Sequence, residues 1–107
     1  MIINKVSAIN GNEYLAKCSL TTLKSLSKAE YKTEITYCTT FVRGIIDSHY
    51  ATTSYYKTDK MFCIPSGESY MTLTGEIISQ LEQKDKYLNE SFAGLVMVYL
   101  GRAFPCK

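Results

Sequence analysis

Tryptophan is absent from this 107-residue chain, histidine occurs once, and proline occurs only at positions 65 and 105. Each scarcity narrows the reading. Any Cys–His or Ser–His nucleophile must use His49, and that histidine needs an orienting partner which no surrounding motif supplies. The first 64 residues contain no proline to break a helix. No apolar run approaches the roughly 18 residues that span a membrane as a helix. The net charge is only +2 and evenly spread, so nothing points to nucleic acid. Phosphate-binding loops, dinucleotide fingerprints and HExxH motifs are missing as well. Met1 to Gly11 lacks the apolar segment of about 7–15 residues that marks a secretory signal. If the protein is exported, the expectation is a processed form carrying a start methionine.

What is present begins with four cysteines, at 18, 38, 63 and 106. Zinc ligands usually come in close pairs, and these gaps are far too wide for that. Two disulfides are the favoured reading, against four buried thiols, and they imply an oxidising compartment. The expected localisation is the periplasm.

Periodicity supplies the elements. Leu15, Cys18, Thr22/Leu23 and Leu26 make a stripe of three- and four-residue steps, predicting one helix from Gly11 to about Leu26. A short turn follows at Ser27-Lys28-Ala29. The stretch after it is ambiguous. Ile35, Tyr37 and Phe41 alternate like a strand, but Tyr31, Ile35, Cys38, Val42, Ile45 and His49 follow a helix seam over a longer window. The longer pattern decides for a helix from Ala29 to about Tyr50, with residues 51–62 as a connector. Ser69 is the expected N-cap of a third helix carrying Tyr70, Leu73, Ile77 and Leu81. A charged turn spans residues 82–90. The fourth helix carries Phe92, Leu95/Val96, Tyr99 and Ala103, and Pro105 closes it. The fold class is therefore all-α: a single domain over residues 1–107, built as two αα-hairpins of about four helices with two disulfides.

Residues equidistant from the turn of an antiparallel hairpin face each other. Cys18 and Cys38 are centred on residue 28, inside the first turn, and Cys63 and Cys106 are centred between 84 and 85, inside the second. This symmetry selects Cys18–Cys38 and Cys63–Cys106, the first pair mid-helix and the second closing the open end of its hairpin.

Candidate chemistry is sparse. Ser48 precedes His49, but adjacent helical residues point in different directions. Asp47, Asp59, Glu68 and Glu76 show no spacing that pins two carboxylates across a substrate, so no enzymatic activity, cofactor, metal site or small-molecule substrate is expected. Gly94 and Gly101 fall near one face of the fourth helix, and close helix packing is favoured there over a ligand cleft. Nine tyrosines suggest contact surface, above all Tyr55, Tyr56 and Tyr87 in predicted loops.

The segment Phe62-Cys63-Ile64-Pro65, the pair Leu95-Val96, Leu100, and the terminal Phe104-Pro105-Cys106 together resemble the Tai family, the type VI secretion amidase immunity proteins. Cys38 with Phe41-Val42-Arg43-Gly44 is similar to that family's cysteine, aromatic and glycine block, so the resemblance covers residues 35–106. The segment Ser66 to Leu73 and the pair Tyr87-Leu88 depart from the family pattern. The resemblance implies a small helical periplasmic protein, often a homodimer, that blocks a peptidoglycan-cleaving amidase effector and has no activity of its own. The expected plug for the effector's cleft is the exposed face of the third helix and the turn after it: Glu76, Gln80, Gln83, Lys84, Asp85 and Tyr87. The competing readings are a disulfide-stapled carrier of apolar ligands and a periplasmic acid-stress chaperone.

Overall fold

The computed structural model describes residues 8–83 and 85–107, with the backbone alone at Asp85. Met1 and Lys84 lie outside the described residues. The chain is all-α. Its helices are α1 (Gly11–Cys18), α2 (Leu20–Lys24), α3 (Lys28–Tyr56), α4 (Tyr70–Glu82) and α5 (Phe92–Ala103), with a 3-10 turn at Asp85–Tyr87 before α5.

Short polar side chains set most of the boundaries. Asn10 and Glu13 form a reciprocal capping box at the start of α1, as Ser27 and Glu30 do for α3. Ser69 caps α4 as expected, its hydroxyl accepting from the Thr72 N–H at 3.0 Å, and Ser91 does the same for α5 through Gly94.

Two expectations about helix limits are corrected. The first helix is broken at Ser19, which is the C-cap of α1 and the N-cap of α2 at once. Its hydroxyl accepts from the Thr22 N–H, a local bond that competes with continuing the helix. Cys18 is therefore the last residue of α1 rather than a mid-helix residue. The second correction concerns residues 51–62. α3 runs on to Tyr56 and stops where Lys57 turns left-handed, at φ 55°. The Thr53 carbonyl there accepts from both Lys57 and Thr58, which closes the helix end. No glycine, proline or asparagine interrupts 51–56, so nothing stops propagation earlier. Tyr55 and Tyr56 thus belong to a helix, not a connector.

Twenty-nine residues make α3 about 43 Å long, longer than the core it crosses. The radius of gyration is 14.9 Å, against about 13 Å for a compact chain of this size. Burial on α3 is limited to Cys38, Val42, Ile46 and Thr53, so its first ten residues have none buried.

The core forms where α1, α3, α4 and α5 meet. Tyr14 of α1 stacks on Phe92 of α5 at 3.7 Å, and both rings meet Phe41 of α3 edge-on, at 6.0 and 5.6 Å. The start of α1 is clamped to the start of α5 by backbone bonds. The Phe92 N–H donates to the Ile9 carbonyl at 2.8 Å, and the Gly11 N–H donates to that of Glu90 at 3.2 Å. A Cβ on Gly11 would lie 3.2 Å from the Leu88 Cα and 3.0–3.1 Å from the Leu88 and Leu95 methyls. Gly11→Ala is accordingly expected to cost about 1–3 kcal/mol through overpacking, seen as a lower urea midpoint with helix content retained. An unchanged midpoint would show that the clamp yields.

Both disulfides are as expected. Cys18–Cys38 joins the end of α1 to the middle of α3, with Cα atoms 6.0 Å apart and both residues fully buried. Cys63–Cys106 joins the connector after α3 to the chain end beyond α5, and both its residues are exposed.

Candidate partner-binding surfaces

α5 carries no charged residue from Phe92 to Gly101. Phe92, Val96 and Leu100 recur at every fourth position and fill the core. The remaining side chains are also apolar, and some face outward: Val98 is 49% exposed. Beside this face runs a groove of about 730 Å³ between α5, the C-terminal end of α4 and the 3-10 turn. Leu81, Leu95 and Val98 line it, with Gln80 and Tyr87 at its wall. Glu90 and Ser91 lie at the α5 N-terminal end, Arg102 at the other. Tyr99 donates its hydroxyl to Glu76 Oε2 at 3.2 Å across α4 and α5. Burial, then the Glu76 carboxylate, push the Tyr99 phenol above its ordinary range.

The six residues expected as a plug fall around this groove. Glu76 is exposed on α4 and engaged by Tyr99, whereas Gln80 is half-buried in the wall. Gln83 is the exposed C-cap of α4, and Asp85 opens the 3-10 turn. Tyr87 is 43% exposed, with Lys86 Nζ 5.0 Å from its ring centre. The fold brings Gln80 and Tyr87 to one groove and ties Glu76 to it through Tyr99.

The two glycines of α5 part ways. Gly101 serves close packing, since a Cβ there would lie 3.3 Å from the Met61 carbonyl oxygen. Gly94 does not. Its nearest foreign atoms belong to Ser91, at 3.6 Å and beyond, and it lines the groove. For Gly94, then, the cleft replaces the expected helix contact.

A second surface lies at the C-terminal end of α3. Tyr55 and Tyr56 are 79% and 69% exposed, with their rings edge-to-face at 4.9 Å. Exposed Met61 follows on the returning chain. That return is firmly anchored. Met61 N–H donates to His49 Nε2 at 3.0 Å, Ile64 N–H to the Tyr50 hydroxyl at 3.0 Å, and Cys63 N–H to the Phe104 carbonyl at 2.8 Å. Phe62 between them is fully buried and stacks on the His49 ring at 4.6 Å. His49 thus uses its Nε2 to hold backbone, and its ring to cover Phe62. Among the described residues, no cluster of three histidine, cysteine or carboxylate side chains is placed to hold a metal ion. No helix there is long and apolar enough to cross a membrane.

The model of the Rap1a immunity proteins matches residues 10–106, from the cap of α1 to the last cysteine. The chain belongs to the Rap1a immunity protein family. An immunity protein works by binding a cognate effector, which turns the two exposed surfaces into candidate contact sites. The Rap1a match takes in both disulfides and α1, whereas the sequence resemblance begins only at residue 35. It supports an immunity protein. No curated protein and no solved structure matches the chain.

Proposed function

We propose that the protein protects its producer by binding a peptidoglycan-cleaving amidase effector of a type VI secretion system and occluding its active-site cleft. It acts in the periplasm, as a homodimer, by occupancy rather than catalysis. The observation that carries this reading is the Rap1a immunity match over residues 10–106. The Phe62-Cys63-Ile64-Pro65 and Phe104-Pro105-Cys106 segments add the likeness to amidase immunity proteins, and two disulfides suit an oxidising compartment.

The tip of α3 is the better plug. A cleft is filled by something that protrudes, and Tyr55, Tyr56 and Met61 protrude on a helix end fixed at both feet. Preorganisation of that kind reduces the entropy lost on binding, and tyrosine is enriched among residues that dominate interfaces. The second reading keeps the α4 and turn residues as the plug, favoured by the exposure of Gln83 and Tyr87.

Titration calorimetry and wall-hydrolysis assays against candidate amidases separate the two. Tyr55→Ala/Tyr56→Ala is expected to weaken inhibition at least about 30-fold, as loss of a central aromatic pair does, with an unchanged melting temperature. Glu76→Lys/Gln80→Lys is expected to have a much smaller effect. The reverse ranking moves the plug to α4, and failure to bind any wall amidase ends the amidase reading.

A further inference from the structure

We infer that Met61 is an oxidation site, whose conversion to the sulfoxide weakens effector binding while the fold stays intact. The inference rests on the plug proposed at the tip of α3. All four cysteines are held in disulfides, so the sulfur left for an oxidant is that of methionine. Among the described residues the methionines are Met61, Met71 and Met97. Met61 and Met71 are 54% and 61% exposed, whereas Met97 is half-buried against the core. A peroxide must touch the sulfur, so the two exposed methionines react ahead of Met97.

Position separates the exposed pair. Met71 lies in the first turn of α4, whereas Met61 belongs with Tyr55 and Tyr56 to the proposed plug. The Met61 main chain is held from both sides. Its N–H donates to His49 Nε2 at 3.0 Å, and its carbonyl oxygen lies 3.3 Å from where a Cβ on Gly101 would stand. Phe62, the next residue, is fully buried. None of these anchors uses the Met61 thioether, so its chemistry can change without loosening the frame. With hydrogen peroxide, the sulfur attacks one oxygen, the O–O bond breaks and an S–O bond forms. The transferred hydroxyl gives up its proton and the other oxygen leaves as water; sulfur loses the two electrons that peroxide gains. A flexible apolar side chain thereby becomes a polar one. Buried in an effector cleft without a donor, that new acceptor costs about tenfold in affinity. Methionine sulfoxide reductases restore the thioether, using a dithiol that becomes a disulfide while the oxygen leaves as water.

Peroxide titration of the full chain, followed by peptide mass mapping and hydrogen exchange, tests this. Met61 and Met71 are expected to oxidise first, with the Met61 N–H still protected and helix content unchanged. Affinity for the amidase identified by calorimetry is expected to fall about tenfold, in step with Met61 oxidation. Met61→Leu is expected to bind like the wild type before and after peroxide. Met61→Gln is expected to bind weakly without peroxide, and Met71→Leu to give no protection. Bound amidase is expected to slow oxidation at Met61 but not at Met71. The proposal is overturned if Met97 reacts as fast as Met61, or if oxidation exposes the Met61 N–H to exchange. It is also overturned if Met61→Leu loses affinity in peroxide as the wild type does. Oxidation order and amide protection are read without an effector, so their failure leaves the immunity reading standing. Absence of any amidase partner ends the amidase reading, and this proposal with it, whatever the oxidation order.

Discussion

Cys18→Ala/Cys38→Ala is expected to destabilise the protein by about 3 kcal/mol from chain entropy alone, for a bridge closing 20 residues. The void left by two fully buried sulfurs adds to that. A small domain has only about 5–15 kcal/mol of net stability, so this variant should be partly unfolded near body temperature. The other bridge closes 43 residues and is worth about 4 kcal/mol by the same reasoning, yet its cysteines are exposed. The bridge of larger entropic worth is therefore the accessible one. Brief treatment of the native protein with a mild thiol is expected to open Cys63–Cys106 first. The product should stay folded but melt at lower temperature, with Cys18–Cys38 protected until unfolding. Alkylation and mass spectrometry at each reductant concentration would show it. Simultaneous loss of both bridges from the folded state would show that the α1–α3 contact opens freely.

How much of this was legible in the sequence follows from what sets each feature. The disulfide pairing was legible because an antiparallel hairpin converts sequence symmetry into proximity, and a small shift of the turn does not spoil it. The turn in fact lies before Lys28, yet Cys18 still meets Cys38. The strand-like stretch before Val42 was legible as helix because the seam continues in phase through Ile45 and His49. The break at Ser19 was not. The stripe Leu15, Cys18, Thr22/Leu23, Leu26 passes across it unbroken, and only the serine's bond to Thr22 reveals the stop. The tail of α3 was hidden for the opposite reason: only Thr53 is buried beyond Tyr50, so periodic burial had no signal to give. The Ile9–Phe92 and Gly11–Glu90 bonds join backbone some eighty residues apart, and no side-chain pattern encodes them. At the candidate site, Gln80 and Tyr87 were chosen from polarity and position, and the fold places both beside one groove. The role of Gly94 depended on how far α4 stands from α5, a tertiary fact.

Tyr14→Ala is expected to cost about 3–5 kcal/mol, in the range for emptying an aromatic site in a core. Three contacts are made by this one side chain. Its ring stacks on Phe92 and abuts Phe41, so it joins α1 to α5 and α3. Its hydroxyl donates to the Cys38 carbonyl at 2.9 Å in a buried setting, beside the disulfide that fixes the same two helices. Tyr14→Phe keeps the rings and loses only the hydrogen bond, for about 1 kcal/mol. The gap between the two variants in urea unfolding measures what the aromatic trio contributes. The phenol also gives the stability a pH signature. Burial first, and neighbouring Tyr37 second, hold the Tyr14 hydroxyl well above its ordinary range. A folded-state value raised in this way gives stability that is full below the ordinary phenol range, near pH 10, and is lost as pH rises above it, because the unfolded chain ionises first. Urea midpoints should therefore fall between about pH 9 and 11 in the wild type, and fall less in Tyr14→Phe. Parallel curves for the two proteins would mean that the alkaline loss comes from other groups and that the Tyr14 hydroxyl reaches water in the native state.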